Sequence, residues 1–194
     1  MVIVILDARP NGGQMNQSSM ILQSARECLT KKGYAHVSLR SIANEAGVAL
    51  SQLHYYYGSK KDLYKAVVMD LVNEYIEDFS KGLEASSKSP LVTFVKYVQD
   101  MVKEKPEIFK LLFDLSSLAL WSNEFKTLLN NLMVEISDLI IKCIPTSNIT
   151  EEYSKDTVAK ALTGAIFGIA LQYTLDPDEN EDTLKAMSII PEFL

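Results

Sequence analysis

A chain of 194 residues suits one large domain or two smaller ones, and an apolar share of 47% excludes a disordered polymer. Eight glycines and six prolines are few for a turn-rich β protein, and two cysteines, Cys28 and Cys143, supply neither a disulfide framework nor a metal cluster. The net charge of −6 argues against a nucleic-acid partner only until it is divided: residues 18–65 carry seven basic side chains against three acidic ones, net +4, and residues 66–194 carry 11 against 21.

Taken in chain order, residues 1–17 are aperiodic and end in the breaker-rich "RPNGGQMNQ". They read as a flexible segment, with a short edge strand from "VIVIL" as the minor alternative. The opening apolar run is too short for a secretion signal. The apolar stretch 158–175 falls short of the ~20 residues of a membrane span. The expectation is a cytoplasmic protein with no membrane partner, its cysteines reduced and buried.

The first helix is expected from Ser18 or Ser19 as N-cap, with Ile21, Leu22, Ala25, Cys28 and Leu29 on one face and Gly33 after its end. A second starts at Ser38 and stops at Gly47. A third, about Leu50 to Tyr56, stops at Gly58, and a long fourth starts after Ser59. "EASSKSP" is a loop. Further helices are expected at about 91–104, 107–120, 123–143, 151–175 and 179–189, separated at Pro106, Ser122-Asn123, Pro145 and Asp176-Pro177. The chain reads as all-α, with a three-helix head at 18–65 joined by a long helix to a helical body at 66–194.

Two short helices joined by a glycine turn form the helix-turn-helix pattern, whose second helix enters the major groove. Leu39, Ile42, Ala43, Ala46, Val48 and Leu53 can hold the pair together. The other faces then carry Ser38, Arg40, Leu50, Ser51, Gln52, His54, Tyr55 and Tyr56. Tyrosine hydroxyls reach phosphates, glutamine reads a base edge, and arginine pairs with guanine. The start of the fourth helix, with Lys60, offers a phosphate seat. A packed aromatic patch is the plainer account of the three tyrosines in a row.

"VSLRSIANEAGVALSQLHYYYGSKKDLYKAV" resembles, without gaps, the TetR family of one-component bacterial transcriptional regulators, over about residues 20–66. The resemblance implies a homodimer on a palindromic operator, usually a repressor released by a small effector. It implies base reading by Arg40, Leu50 and Gln52, phosphate binding by Ser38, His54, Tyr55, Tyr56 and Lys60, and a core role for Tyr57. Three positions depart from the family pattern: Ala49 stands at the Ser/Thr N-cap of the third helix, Ser51 where glycine is common, and His54 where tyrosine is common.

The body is where an effector would bind. Phe94, Tyr97, Met101, Phe109, Phe113, Trp121, Met133 and Phe167 are candidates for the wall of an apolar pocket, and Asp114, inside "LLFDLSSLAL", for a buried carboxylate there. Core packing is the commoner fate of each apolar side chain, and a solvent stripe or the capping of a neighbour is the plainer account of Asp114. Ala161, Gly164, Ala165 and Gly168 suit a subunit seam made with the last helix, as the family's last two helices usually make, with packing inside one subunit as the competing reading. No nucleophile elbow, zinc motif, phosphate loop or metal cluster is present, and both histidines lie in the head, so neither an enzyme nor a cofactor is expected. An activator of the same fold, or a helical interaction protein without DNA binding, is the alternative.

Overall fold

In the computed structural model, which describes residues 16–86, 89–145, 153–176 and 181–192, the first helix begins earlier than its serines suggest. Asn16 is the N-cap of α1 (Gln17–Lys32), its Oδ1 accepting from the Ser19 N–H at 2.8 Å. Asparagine caps as well as serine does, so Ser18 and Ser19 fall inside the first turn. Most of the expected flexible segment, and with it the alternative strand at "VIVIL", lies outside the described residues.

α2 (Leu39–Glu45) starts at Ser38, whose Oγ accepts from the Ser41 N–H at 3.0 Å. It ends where Gly47, at φ +65°, takes the left-handed turn that other residues resist. The Val48 N–H then reaches back to the Ala43 carbonyl at 3.0 Å, closing α2 with its last carbonyls satisfied. α3 (Leu50–Tyr57) follows and stops at Gly58, φ +68°. Ile21, Ala25, Ile42 and Leu53 have no exposed surface and form the centre of this three-helix unit.

α4 (Lys60–Ala85) contributes to both compact units of the chain, which divide after Asp70. The second unit, from Leu71 on, contains α5 (Pro90–Glu104), α6 (Pro106–Ala119), α7 (Asn123–Cys143), α8 (Lys155–Leu175) and α9 (Glu181–Met187), with a 3-10 turn at Ile190–Glu192. Among the described residues these are helices without strands. Pro90 and Pro106 each occupy the first helical position, where a missing N–H costs nothing. Phe79, Leu111, Leu115, Leu132 and Ile140 are at most 2% exposed and fill the core. Both cysteines are buried free thiols, and burial pushes Cys143 up to about 11, so it stays protonated and inert at neutral pH.

One expectation fails on length. α8 is 21 residues and, by length and composition, apolar enough to cross a membrane. Its buried positions Ala159, Leu162, Ile166, Ala170 and Tyr173 recur at helical spacing, the stripe of a helix packed on its neighbours.

Leu53→Ala empties the fully buried position that fixes α3 and is expected to cost about 2–5 kcal/mol. Urea unfolding followed by circular dichroism checks this. A loss below about 1 kcal/mol would mean that the head does not depend on α3 packing.

Candidate nucleic-acid interface and ligand cavity

The side chains proposed to meet a duplex all lie in the first unit. Ser38 and Arg40 stand exposed at the start of α2. On α3, Ser51, His54, Tyr55 and Tyr56 are exposed, Leu50 and Gln52 half-buried, and Leu53 alone sealed. Tyr55 is 84% exposed and meets Tyr56 edge-on, with ring centroids 5.2 Å apart. An aromatic patch packed for its own sake would not leave so large a ring in solvent.

Tyr57 points the other way. Its hydroxyl donates to the Ser18 carbonyl at 2.9 Å and takes the Ser18 hydroxyl at 3.0 Å, tying the end of α3 to the start of α1. Burial raises its pKa above the ordinary tyrosine range. The His54 Nδ1–H donates to the Gly58 carbonyl at 2.7 Å, which leaves Nε2 as the ring's other hydrogen-bonding atom.

Two details depart from the sequence reading. Ala49 cannot cap α3 with a side chain, but the Gln52 Oε1 accepts from the Ala49 N–H at 2.9 Å. The Gln52 Nε2 donates to the Gln17 Oε1 at 3.2 Å. The expected base reader is therefore already engaged at both ends of its amide. The phosphate seat at α4 is also occupied in part. Ser59 caps the helix, accepting from the Asp62 N–H at 3.1 Å and donating to its carboxylate, which holds the Asp62 pKa below its usual range. Lys60 lies with its ammonium 4.2 Å from the centroid of the Tyr34 ring, a cation–π contact.

In the second unit, α4 through α8 enclose a cavity of about 100 Å³. Phe94, Tyr97, Met101, Phe109, Met133 and Phe167 line it, as the sequence suggested. Phe113 does not line it; it packs behind, 4.8 Å from the ring of Phe167. Asp114 is half-buried on α6 and absent from the wall, so no carboxylate awaits a cation there. Trp121 falls in the turn after α6 and is 88% exposed. The α4 wall of Val72, Tyr75, Ile76 and Phe79 was missed, although its spacing was legible as one helical face. Among the described residues no charged side chain lines the cavity. The Tyr97 hydroxyl donates to the Tyr75 carbonyl at 2.9 Å, and burial foremost, with the nearby Asp78 charge, pushes its pKa to about 12.

Residues 21–67 match the model of the family described as bacterial regulatory proteins, tetR family. Over 170 residues the chain is 24% identical to the HTH-type transcriptional regulator PksA of Bacillus subtilis, covering 85% of this chain and 82% of that protein. A TetR transcriptional regulator from Legionella pneumophila shares the fold at a TM-score of 0.78 and 20% identity, over 94% of this chain and 100% of its own. The regulator FadR of Bacillus subtilis, solved in complex with stearoyl-CoA, shares it at 0.72 and 16% identity, over 89% and 95%.

Because the folded pKa of Tyr97 lies above its ordinary value of 10.0, its contribution to stability is intact below that pH and is lost as pH rises toward about 12. Tyr97→Phe is expected to lower stability at neutral pH by about 1 kcal/mol. It should also make the alkaline decline shallower, as read from urea midpoints across pH. An unchanged slope would show that the hydroxyl is not held in its neutral form by the fold.

Proposed function

The chain belongs to the tetR family of bacterial regulatory proteins, and from that premise we propose that it is a repressor, a homodimer that grips a palindromic operator and releases it when a small apolar ligand enters the body. That it is a DNA-binding transcriptional regulator follows from the family match and its relatives; the rest is our reading. The observation that carries it is the outward face of α3, where Ser51, His54 and Tyr55 stand in solvent beside Arg40 on a head with net charge +4.

In this reading Tyr55, Tyr56, Ser38, His54 and Lys60 hold phosphates and set the register, and Arg40, Leu50, Ser51 and Gln52 meet base edges. The neighbouring tyrosines put two hydroxyls on one stretch of backbone without adding charge. Asp62 offsets part of the charge of Lys60 and Lys61 at the start of α4, and Arg40 is the one Lys or Arg side chain on α2 and α3, so neutral donors make most of the contacts there.

The dimer reading rests on α8. Ala161, Gly164 and Ala165 are exposed, and Leu171 and Leu175 stand 39% and 76% exposed along the same helix. Small side chains let a second helix approach closely, and the exposed leucines gain by being covered. α9 is held on its own subunit, the Gln99 Nε2 donating to the Leu184 carbonyl at 2.7 Å, so α8 supplies most of the seam. The effector reading rests on the uncharged cavity and on its α4 wall. A ligand that spreads Val72, Tyr75, Ile76 and Phe79 shifts α4, and two recognition helices then lose the ~34–36 Å spacing that successive major grooves require.

Fluorescence anisotropy with a random duplex tests the head. Affinity is expected to fall roughly a hundredfold between about 50 and about 200 mM salt, as Arg40 and Lys60 of two subunits would give. Tyr55→Phe should weaken all duplexes alike, whereas Gln52→Ala should relax sequence preference. Duplexes selected from a random pool should contain an inverted repeat with half-sites about one helical turn apart. Binding that ignores salt, or selection of single half-sites, would overturn the operator reading.

A further inference from the structure

A second recess adjoins the apolar cavity, and Met133, Thr163 and Phe167 line both. The rest of its wall is Ser137, Lys160 and Gly164, so here the apolar lining gives way to polar groups. Ser137 is only 8% exposed, a buried polar side chain among apolar core residues. Hydroxyls inside helices elsewhere in the chain bond back to the preceding turn: Ser116 to the Leu112 carbonyl at 2.7 Å, Thr163 to Ala159 at 2.8 Å, Thr174 to Ala170 at 2.7 Å. Ser137 makes no such bond among the described residues. No sealed side-chain oxygen or nitrogen there lacks a partner, so the Ser137 oxygen is not closed off in the core but opens on the recess.

Lys160 stands across from it on α8. Its ammonium pairs with Asp156 at 2.6 Å, both side chains well exposed. Such a pair is weak and is easily redirected. Asp156 is not part of the recess wall. A Cβ built on Gly164 would meet nothing of its own chain within 4 Å, so within one subunit the space beside the lysine is open, on the edge of α8 toward α7 and flanking the Ala161 and Ala165 side proposed for the seam.

We infer that the two recesses form one site for an anionic amphiphile, with an alkyl chain in the cavity and a carboxylate head on the Ser137 hydroxyl and the Lys160 ammonium. The inference rests on the effector reading of the cavity and names its ligand class. An ionised head cannot enter the uncharged cavity without losing its hydration. At the shared mouth it meets one free hydroxyl donor and one cation, a charge-assisted pair of contacts. A cationic head would face Lys160 and is excluded on the same ground.

Isothermal titration of the full chain with octanoate, octanol and octylammonium tests this. Octanoate is expected to bind about tenfold or more tighter than octanol, since hydrogen bonds to a charged group are the stronger kind. Octylammonium should bind weakest. Ser137→Ala and Lys160→Gln should each bring octanoate toward the octanol affinity while leaving octanol unchanged, which also shows that the variants are folded. Equal affinities for octanoate and octanol, or variants that keep the preference, would overturn the head-group site and spare the cavity reading. If no octyl compound binds at all, the effector reading of the cavity falls with it.

Discussion

An eight-residue helix does not persist by itself in water, because nucleation consumes more order than so few backbone bonds return. α3 exists because Leu53 is sealed into the head and Tyr57 is tied to Ser18. These two anchors, four residues apart, share one face of the helix. Ser51, His54 and Tyr55 have no choice but the opposite side. The face proposed to meet DNA is thus a by-product of how the helix is fastened, and the glycine turns at Gly47 and Gly58 set where it begins and ends.

Much of this was legible beforehand. The apolar spacing in α1 and α2, the Ser38 cap and the two glycine stops are local signals, and local signals are what a sequence displays directly. What misled was competition between equally good caps. Asn16 stood just outside the expected boundary, and Ser18 was taken for a cap when its role is to receive Tyr57. Nor could spacing alone reveal that Gln52 would serve the Ala49 N–H, because that bond depends on a rotamer. In the body, six of the nine aromatic, methionine and acidic candidates reached the cavity wall. Trp121 did not, because it falls in the turn after α6 and, by helical spacing, on the side of Lys110 and Ser117 rather than on the buried stripe of Leu112, Leu115 and Ala119. Asp114 lies on a half-exposed side of α6, in line with the solvent stripe that is the plainer reading of a carboxylate in that helix.

The body separates its polar and apolar roles with care for satisfied bonds. Tyr97 and Thr163 give their hydroxyl protons to carbonyls of the fold, so the chamber offers an incoming molecule little but shape and apolar contact. Selectivity from such a wall is coarse, since a methylene more or less changes affinity only modestly. In the proposed site, finer discrimination falls to its edge, where Ser137 and Lys160 stand.

The two bonds at Gln52 bear on what a recognition side chain can do. Its Oε1 is held by the Ala49 N–H and its Nε2 by Gln17, yet a carboxamide keeps a second lone pair and a second N–H. If Gln52 meets a base, as proposed, it does so with its amide already oriented by the fold, and the rotamer freedom such a contact removes is lost in folding rather than in binding.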